Sequence, residues 1–300
     1  MINQAVLFTK PVHHLTFDLT SEELEQFTET YFEEKGFRFV LSRRIAGEEL
    51  AARQILRHHY LMYSKGSYGD VKISESGRAK FKETFGKDWE TEVEEGRIMG
   101  NPQLLEARSI NAEELFTYWN HLFQSGQTHK IQDGLIVGWI GAMECYCINA
   151  FYPAIEASFY HPDNWMNYHV VEFYPSIISW NHFRKQELGE TDCSKAAPES
   201  FRGQLYSKYP VPFSGRDNFV HGSAGPLEGL VERVVHESDF EMTTNPIGAY
   251  LSGRGVTLNA FKDWKNRQSI AVLGDLFNTT EEKNTAEILQ TLDKLFPVGN

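Results

Sequence analysis

The stretch Asn218-Phe219-Val220-His221-Gly222-Ser223 places a histidine at the end of a short strand, with Gly and Ser immediately behind it. Backbone can approach a ring held in that way closely, and a ligand can reach it. Eleven residues on, Glu232 lies on the helix that Pro226 opens, and its carboxylate can fold back to hold the imidazole tautomer that leaves one ring nitrogen nucleophilic. The competing reading is a turn histidine whose neighbours are cap residues.

Outward from His221 stand four residues suited to an anion: Arg202 in the preceding loop, Thr191 before that, Arg184 on an earlier helix and Lys10 at the end of the first strand. Two guanidiniums that grip oxygens in bidentate fashion, a lysine point charge and a hydroxyl donor are what a polyphosphate requires. The rest of the chain is acidic. Among 300 residues, 29 Lys and Arg face 41 Asp and Glu, a formal net charge of −12, which excludes a broad footprint for nucleic acid or an anionic membrane. Any anionic ligand is therefore held by a few placed cations.

Hydrophobic spacing predicts the surroundings of these residues. Ala5–Thr9 reads as a buried first strand stopped by Lys10-Pro11, and a helix from Thr20 to Gly36 carries Leu24, Phe27, Tyr31 and Phe32. Phe37–Leu41 reads as a second strand, and a helix runs from Gly47 to Tyr60. Residues 64–96, rich in Lys, Glu and Gly, read as a solvated excursion with little core, containing a polar helix at Gly77–Phe85. Residues 111–124 are amphipathic, with Leu115, Trp119, Leu122 and Phe123 on the apolar side. Periodicity leaves 135–161 open between strand and buried helix, and the run Leu135–Pro153, interrupted by Glu144 and Asn149, is a core segment rather than a membrane span. Val170–Tyr174 is a strand, Pro175–Leu188 a helix and Glu190–Asp217 a loop. Pro226–Val235 is a helix, and the tail from Thr279 is a docking amphipathic helix through Ile288, Leu289, Leu292 and Leu295. No repeat period is visible.

Cys145, Cys147 and Cys193 cannot form a disulfide framework; they read as buried thiols of a reducing compartment. The doublets His13-His14 and His58-His59 diverge in strand or helix and chelate poorly, so no metal ligand is assigned to the protein. The amino terminus lacks the basic start and apolar stretch of a signal peptide, so a cytoplasmic protein is expected.

Lys10-Pro11, Glu34-Lys35-Gly36-Phe37-Arg38-Phe39-Val40, His59-Tyr60, Phe183-Arg184, Leu188-Gly189-Glu190-Thr191, Phe201-Arg202-Gly203 and Asn218–Ser223 occur in the order found in nucleoside diphosphate kinases. The chain resembles that family over about 1–60 and 168–237. The resemblance implies an α+β fold with a ferredoxin-like antiparallel sheet core (βαββαβ), interrupted by a long insertion at 61–167 in the second-helix hairpin region and followed by an extension at 239–300. It implies ping-pong phosphoryl transfer through a phosphohistidine. By position, His221 resembles the nucleophile, Glu232 the residue that orients its ring and Ser223 the support of that carboxylate. Lys10, Tyr60, Arg184, Thr191 and Arg202 match phosphate-binding and transition-state-stabilising positions, Lys10 thereby joining His221, Glu232 and Ser223 in the implied catalytic set, and Asn218 with Lys10 matches contacts to the ribose hydroxyls. The implied partners are nucleoside di- and triphosphates, the implied cofactor is Mg2+ bound through their phosphates, and the implied assembly is a homo-oligomer. The chain departs from the family pattern at Val12-His13, where Asp-Gly is usual, and at Ala224, where Asp is usual. Phe213 is a candidate base contact.

Three activities follow as expectations. The first is an ATP-dependent nucleoside diphosphate kinase-like phosphotransferase. The second is a nucleotide-binding regulatory or scaffold protein without turnover, and the third a kinase that uses the same histidine on a different acceptor.

Overall fold

A computed structural model describes residues 1–11, 18–210 and 216–297. Val12, the His13-His14 doublet and Phe213 lie outside these. The chain forms two compact units, Met1–Gly47 with Pro162–Asn300, and Glu48–His161. Helices combine with antiparallel sheets in an α+β architecture.

The first unit is built on a four-stranded antiparallel sheet of β1 (Asn3–Thr9), β2 (Arg38–Ala46), β3 (Trp165–Phe173) and β4 (Val220–Gly222), in the spatial order β2-β3-β1-β4. All of β1 is buried, including its polar start. Asn3 and Gln4 extend the strand beyond the expected Ala5 because both amides find partners: Asn3 Nδ2 donates to Asn284 Oδ1 at 2.8 Å and Gln4 Nε2 to Glu172 Oε1 at 3.0 Å. On one sheet face Ala5, Leu7, Val171 and Phe173 pack with Leu24, Tyr31 and Phe32 of helix α1 (Ser21–Glu34), which Thr20 and Glu23 close with a reciprocal capping box. On the other face Phe8 and Tyr168 meet His236 of a helix described below, with ring centroids 5.5 and 5.2 Å apart.

Several expected elements are corrected. The helix expected from Pro175 begins at Trp180, because Ile177 and Ile178 both donate to the Tyr174 carbonyl at 2.9 Å in a turn and Ser179 then caps the helix. The supposed loop Glu190–Asp217 contains helix α2 (Phe201–Lys208), capped by Ser200 and anchored by buried Phe201 and Leu205. After β4, helix α3 (Pro226–His236) turns Leu227 and Leu230 outward against α4 (Pro246–Gly253), α5 (Leu258–Arg267), α6 (Ile270–Thr280) and α7 (Leu289–Leu295). The docking tail is present, with Ile288 and Leu292 fully buried, although its helix begins later than Thr279.

The second unit carries a three-stranded antiparallel sheet, Thr128–Gln132, Leu135–Ile140 and Cys145–Ile148, followed by helix Tyr152–Tyr160. Leu135–Pro153 is thus core, as expected. The helix expected from Gly47 to Tyr60 is broken into Gly47–Ala52 and Ile55–His59 at Gln54, whose φ is +50°. The excursion at 64–96 is not merely solvated. Phe81 is fully buried against Ile73, Ile98, Tyr146 and Ile148, and Glu92 is buried in an ion pair with Arg97. All three cysteines are free and buried. No described helix is long and apolar enough to cross a membrane.

Candidate active site

β4 pairs with the end of β1, setting His221 opposite Phe8, and the two rings stack with centroids 4.6 Å apart. Phe219, two residues earlier, has φ +65° while buried, a left-handed conformation rare for a bulky residue. Backbone strain of that kind persists only where the surroundings over-determine it. Gly222 is also closely packed: a Cβ there would lie 2.5 Å from Leu188 Cδ1 and 3.2 Å from Phe183 Cζ.

The imidazole Nε2 lies 2.8 Å from Glu232 Oε1, and Ser223 Oγ donates to Glu232 Oε2 at 2.5 Å. Ser223 is itself fixed by β1, accepting from the Val6 amide at 2.8 Å. The structure therefore brings His221, Glu232 and Ser223 into one relay, with histidine and glutamate side chains only 17% and 5% exposed. With Nε2–H directed at the carboxylate, Nδ1 carries the ring's lone pair. Burial, reinforced by Lys10, Arg184 and Arg202, holds His221 well below its ordinary pKa, so the ring is neutral at pH 7.

The three cations differ in what they do. Arg184 sits on a π-helical turn, Phe183–Leu188, a form found often at functional sites, and donates to the Gly222 carbonyl at 3.1 Å. Arg202 is buried and donates to the carbonyls of Gly189 (2.7 Å), Val220 (2.8 Å) and Asn218 (3.2 Å), so much of its guanidinium braces the strand that carries His221. Lys10 donates to the Arg216 carbonyl at 3.4 Å, and burial beside Arg202 lowers its pKa to about 7. Asn218 is 3% exposed, and its Oδ1 has no hydrogen-bond partner among the described residues. A buried orphan acceptor is uncommon and fits a ligand hydroxyl.

Two further expected residues lie on other segments. Thr191 lies on an exposed loop, where its backbone carbonyl accepts from Cys193 Sγ at 4.0 Å. Tyr60 belongs to the second unit, where its ring stands edge-on to His59 at 4.4 Å. Conversely, sequence reading missed Phe8, which only strand pairing reveals, and Glu228. Glu228 accepts from the Ala224 amide at 2.9 Å, and burial together with Glu232 raises its pKa to about 8. Its spacing of one helical turn from Glu232 is the signal that could have found it.

No protein-family model and no curated protein matches the chain. Among solved structures it is similar to the crystal structure of an NDP kinase from Pyrobaculum aerophilum, at 13% identity over 80% of this chain and 97% of that chain, with a TM-score of 0.36.

Proposed function

We propose that the chain is a nucleoside diphosphate kinase-like phosphotransferase that moves a γ-phosphate from a nucleoside triphosphate to a nucleoside diphosphate through a phosphohistidine. The observation that carries this reading is the His221–Glu232–Ser223 relay, which holds a neutral imidazole beside Lys10, Arg184 and Arg202. The order β2-β3-β1-β4, with α1 between the first two strands and helical segments before β4, supports a ferredoxin-like βαββαβ core. In this reading the core is 1–60 with 168–238, the insertion is 61–167 and the extension 239–300.

The Nδ1 lone pair attacks the γ-phosphorus, the bond to the β-phosphate oxygen breaks, and the diphosphate leaves with that bond's electrons. Glu232, holding Nε2–H, compensates the positive charge that develops on the ring. In the second half an oxygen of the acceptor's terminal phosphate attacks the same phosphorus, and the N–P bond breaks back onto Nδ1. Lys10, Arg184 and Arg202 offset charge on the equatorial oxygens, Asn218 takes a ribose hydroxyl, and Tyr60 and Thr191 belong to the phosphate-binding set. Mg2+ would be held by the nucleotide's phosphate oxygens in this reading, since Glu232 is engaged by His221 and Ser223 and Glu228 accepts from the Ala224 amide. When bound, the ion neutralises phosphate charge.

Incubation with γ-labelled ATP tests the reading. Acid-labile phosphate on the protein that disappears in His221→Ala, and that nucleoside diphosphates chase rapidly, is the expected result. Absence of label, or label surviving in His221→Ala, overturns it. Label that only another acceptor removes assigns the histidine to a different kinase. The engagement of Arg202 with three carbonyls favours a second reading, binding without turnover, for which nucleotide binds and no label appears.

A further inference from the structure

The carboxy-terminal segment of the first unit brings an acidic turn onto the cationic cluster. α6 ends at Thr280, whose hydroxyl bonds the Leu276 carbonyl at 3.0 Å, and the chain then turns through Glu281 and Glu282. Glu282 has φ +57°, an uncommon conformation for glutamate, and three contacts hold it there. Its amide donates to the Ala224 carbonyl at 2.9 Å, its Oε2 accepts from Asn181 Nδ2 at 2.6 Å, and its Oε1 lies 3.5 Å from Lys185 Nζ. Gly225, directly after Ala224, lies so close beneath the turn that a Cβ there would be 2.8 Å from the Thr280 carbonyl oxygen. Immediately beyond, Asn284 Oδ1 accepts from the Trp180 amide at 2.9 Å, and Asn3 Oδ1 accepts from the Thr285 amide at 2.9 Å. The turn is thus fastened to the sheet, to the segment that carries Arg184 and to the chain that follows His221.

The consequence is the placement of Glu281. Its Oε1 stands 3.6 Å from Arg184 Nη2, while Nη1 of the same guanidinium bonds the carbonyl of Gly222, the residue after His221. Glu281 also contributes to the raised pKa of Glu228, so its charge is felt across the cluster. A carboxylate and a phosphoryl group compete for the same donors of an arginine.

We propose that Glu281 is an internal competitor for Arg184, a positioning residue that sets the affinity of the anion site by occupying the guanidinium until a phosphoryl oxygen displaces it. This rests on Arg184 being a phosphate ligand, as in the proposed function. It extends that reading by giving the carboxy-terminal segment a role in the site. Weakening the ground-state hold on an anion that must also leave in a ping-pong cycle favours turnover over retention.

The full chain with inorganic tripolyphosphate as probe tests this by calorimetry. Glu281→Gln, which keeps shape and removes charge, is expected to bind tripolyphosphate about fivefold tighter than the unaltered protein, as a partly exposed ion pair allows. The gain is expected to vanish in the Arg184→Ala background. Glu282→Gln, facing Lys185 and Asn181 instead, is expected to leave the affinity within about twofold, the scale of ordinary surface changes. With nucleotide, KM is expected to fall in Glu281→Gln without a rise in kcat. Unchanged or weaker tripolyphosphate binding in Glu281→Gln overturns the proposal. So does the same gain without Arg184, or no binding to either protein. The two readings fail separately: tighter tripolyphosphate binding in Glu281→Gln with no phosphohistidine from ATP keeps the competitor and rejects phosphoryl transfer.

Discussion

His221 is poised by its surroundings: Phe8 covers a face of its ring, Glu232 takes Nε2, and burial reinforced by the nearby cations keeps it unprotonated. If Glu232 orients the nucleophile, Glu232→Gln slows phosphohistidine formation by about a hundredfold while nucleotide still binds, since a positioned proton-bonding partner commonly supplies that much. Single-turnover labelling by rapid quench checks it, and an unaltered rate removes Glu232 from the mechanism. Lys10 makes a second prediction. Its pKa of about 7 is low because burial and Arg202 disfavour its charge, and an anion reverses that balance. Tripolyphosphate binding at pH 7.5 is therefore expected to draw a proton from solution, read as a dependence of the binding enthalpy on the buffer's ionisation enthalpy. Lys10→Arg, always charged, is expected to abolish that dependence.

His169 acts on stability rather than on the site. Fully buried on β3, with Nδ1 at 2.8 Å from Ser42 Oγ, it has a pKa lowered by burial from 6.5 to about 4. The unfolded chain then binds the extra proton between these values. The contribution is complete above pH 6.5 and is lost as pH falls toward 4. Between pH 7 and pH 5 this residue alone is expected to cost about 2 kcal/mol, and urea titrations of the protein and of His169→Asn should differ in their pH slope by that amount.

At the scale of elements, the joints between segments matter more than the segments. Gly225 joins β4 to α3 under the 280–282 turn, so Gly225→Ala forces a methyl group onto the Thr280 carbonyl. The expected cost is about 2 kcal/mol, measured by chemical denaturation. A cost near zero would mean that the turn yields readily. Much of the element pattern was legible: β1, α1, α3 and the 111–124 helix follow from apolar spacing and cap residues alone. Where spacing failed, a local feature without apolar periodicity had won. Ser179 delayed one helix start, Gln54 broke another helix, and α2 was concealed because its Arg202 and Gly203 are buried beside Phe201.

For the whole molecule, the two units differ in how they depend on the chain around them. Ala46 pairs with Trp165, and the Gly47 amide donates to the Asn164 carbonyl at 2.8 Å, so residues 48–161 leave and re-enter the first unit at adjacent strand ends. Replacing 48–161 by a short turn is expected to leave the first unit folded, with a cooperative thermal transition and native near-ultraviolet dichroism. Loss of cooperativity would show that its sheet requires the second unit. Residues 239–300, in contrast, cover Leu227 and Leu230 of α3 and cannot be removed without exposing that core.

Sequence alone determined what depends on neighbours along the chain: the strand that ends at Lys10-Pro11, the histidine at a strand end, the carboxylate eleven residues on, and the small set of cations that an acidic chain could direct at an anion. Those features follow from side-chain chemistry and short-range periodicity, which survive without knowledge of what packs where. Only tertiary structure decided that Phe8 stacks on His221, that much of Arg202 braces the backbone, that Lys10 is partly discharged, and that Glu281 reaches Arg184 from nearly a hundred residues away. Each of these depends on desolvation and on distances across strand pairs and docked helices, quantities that residue order does not specify.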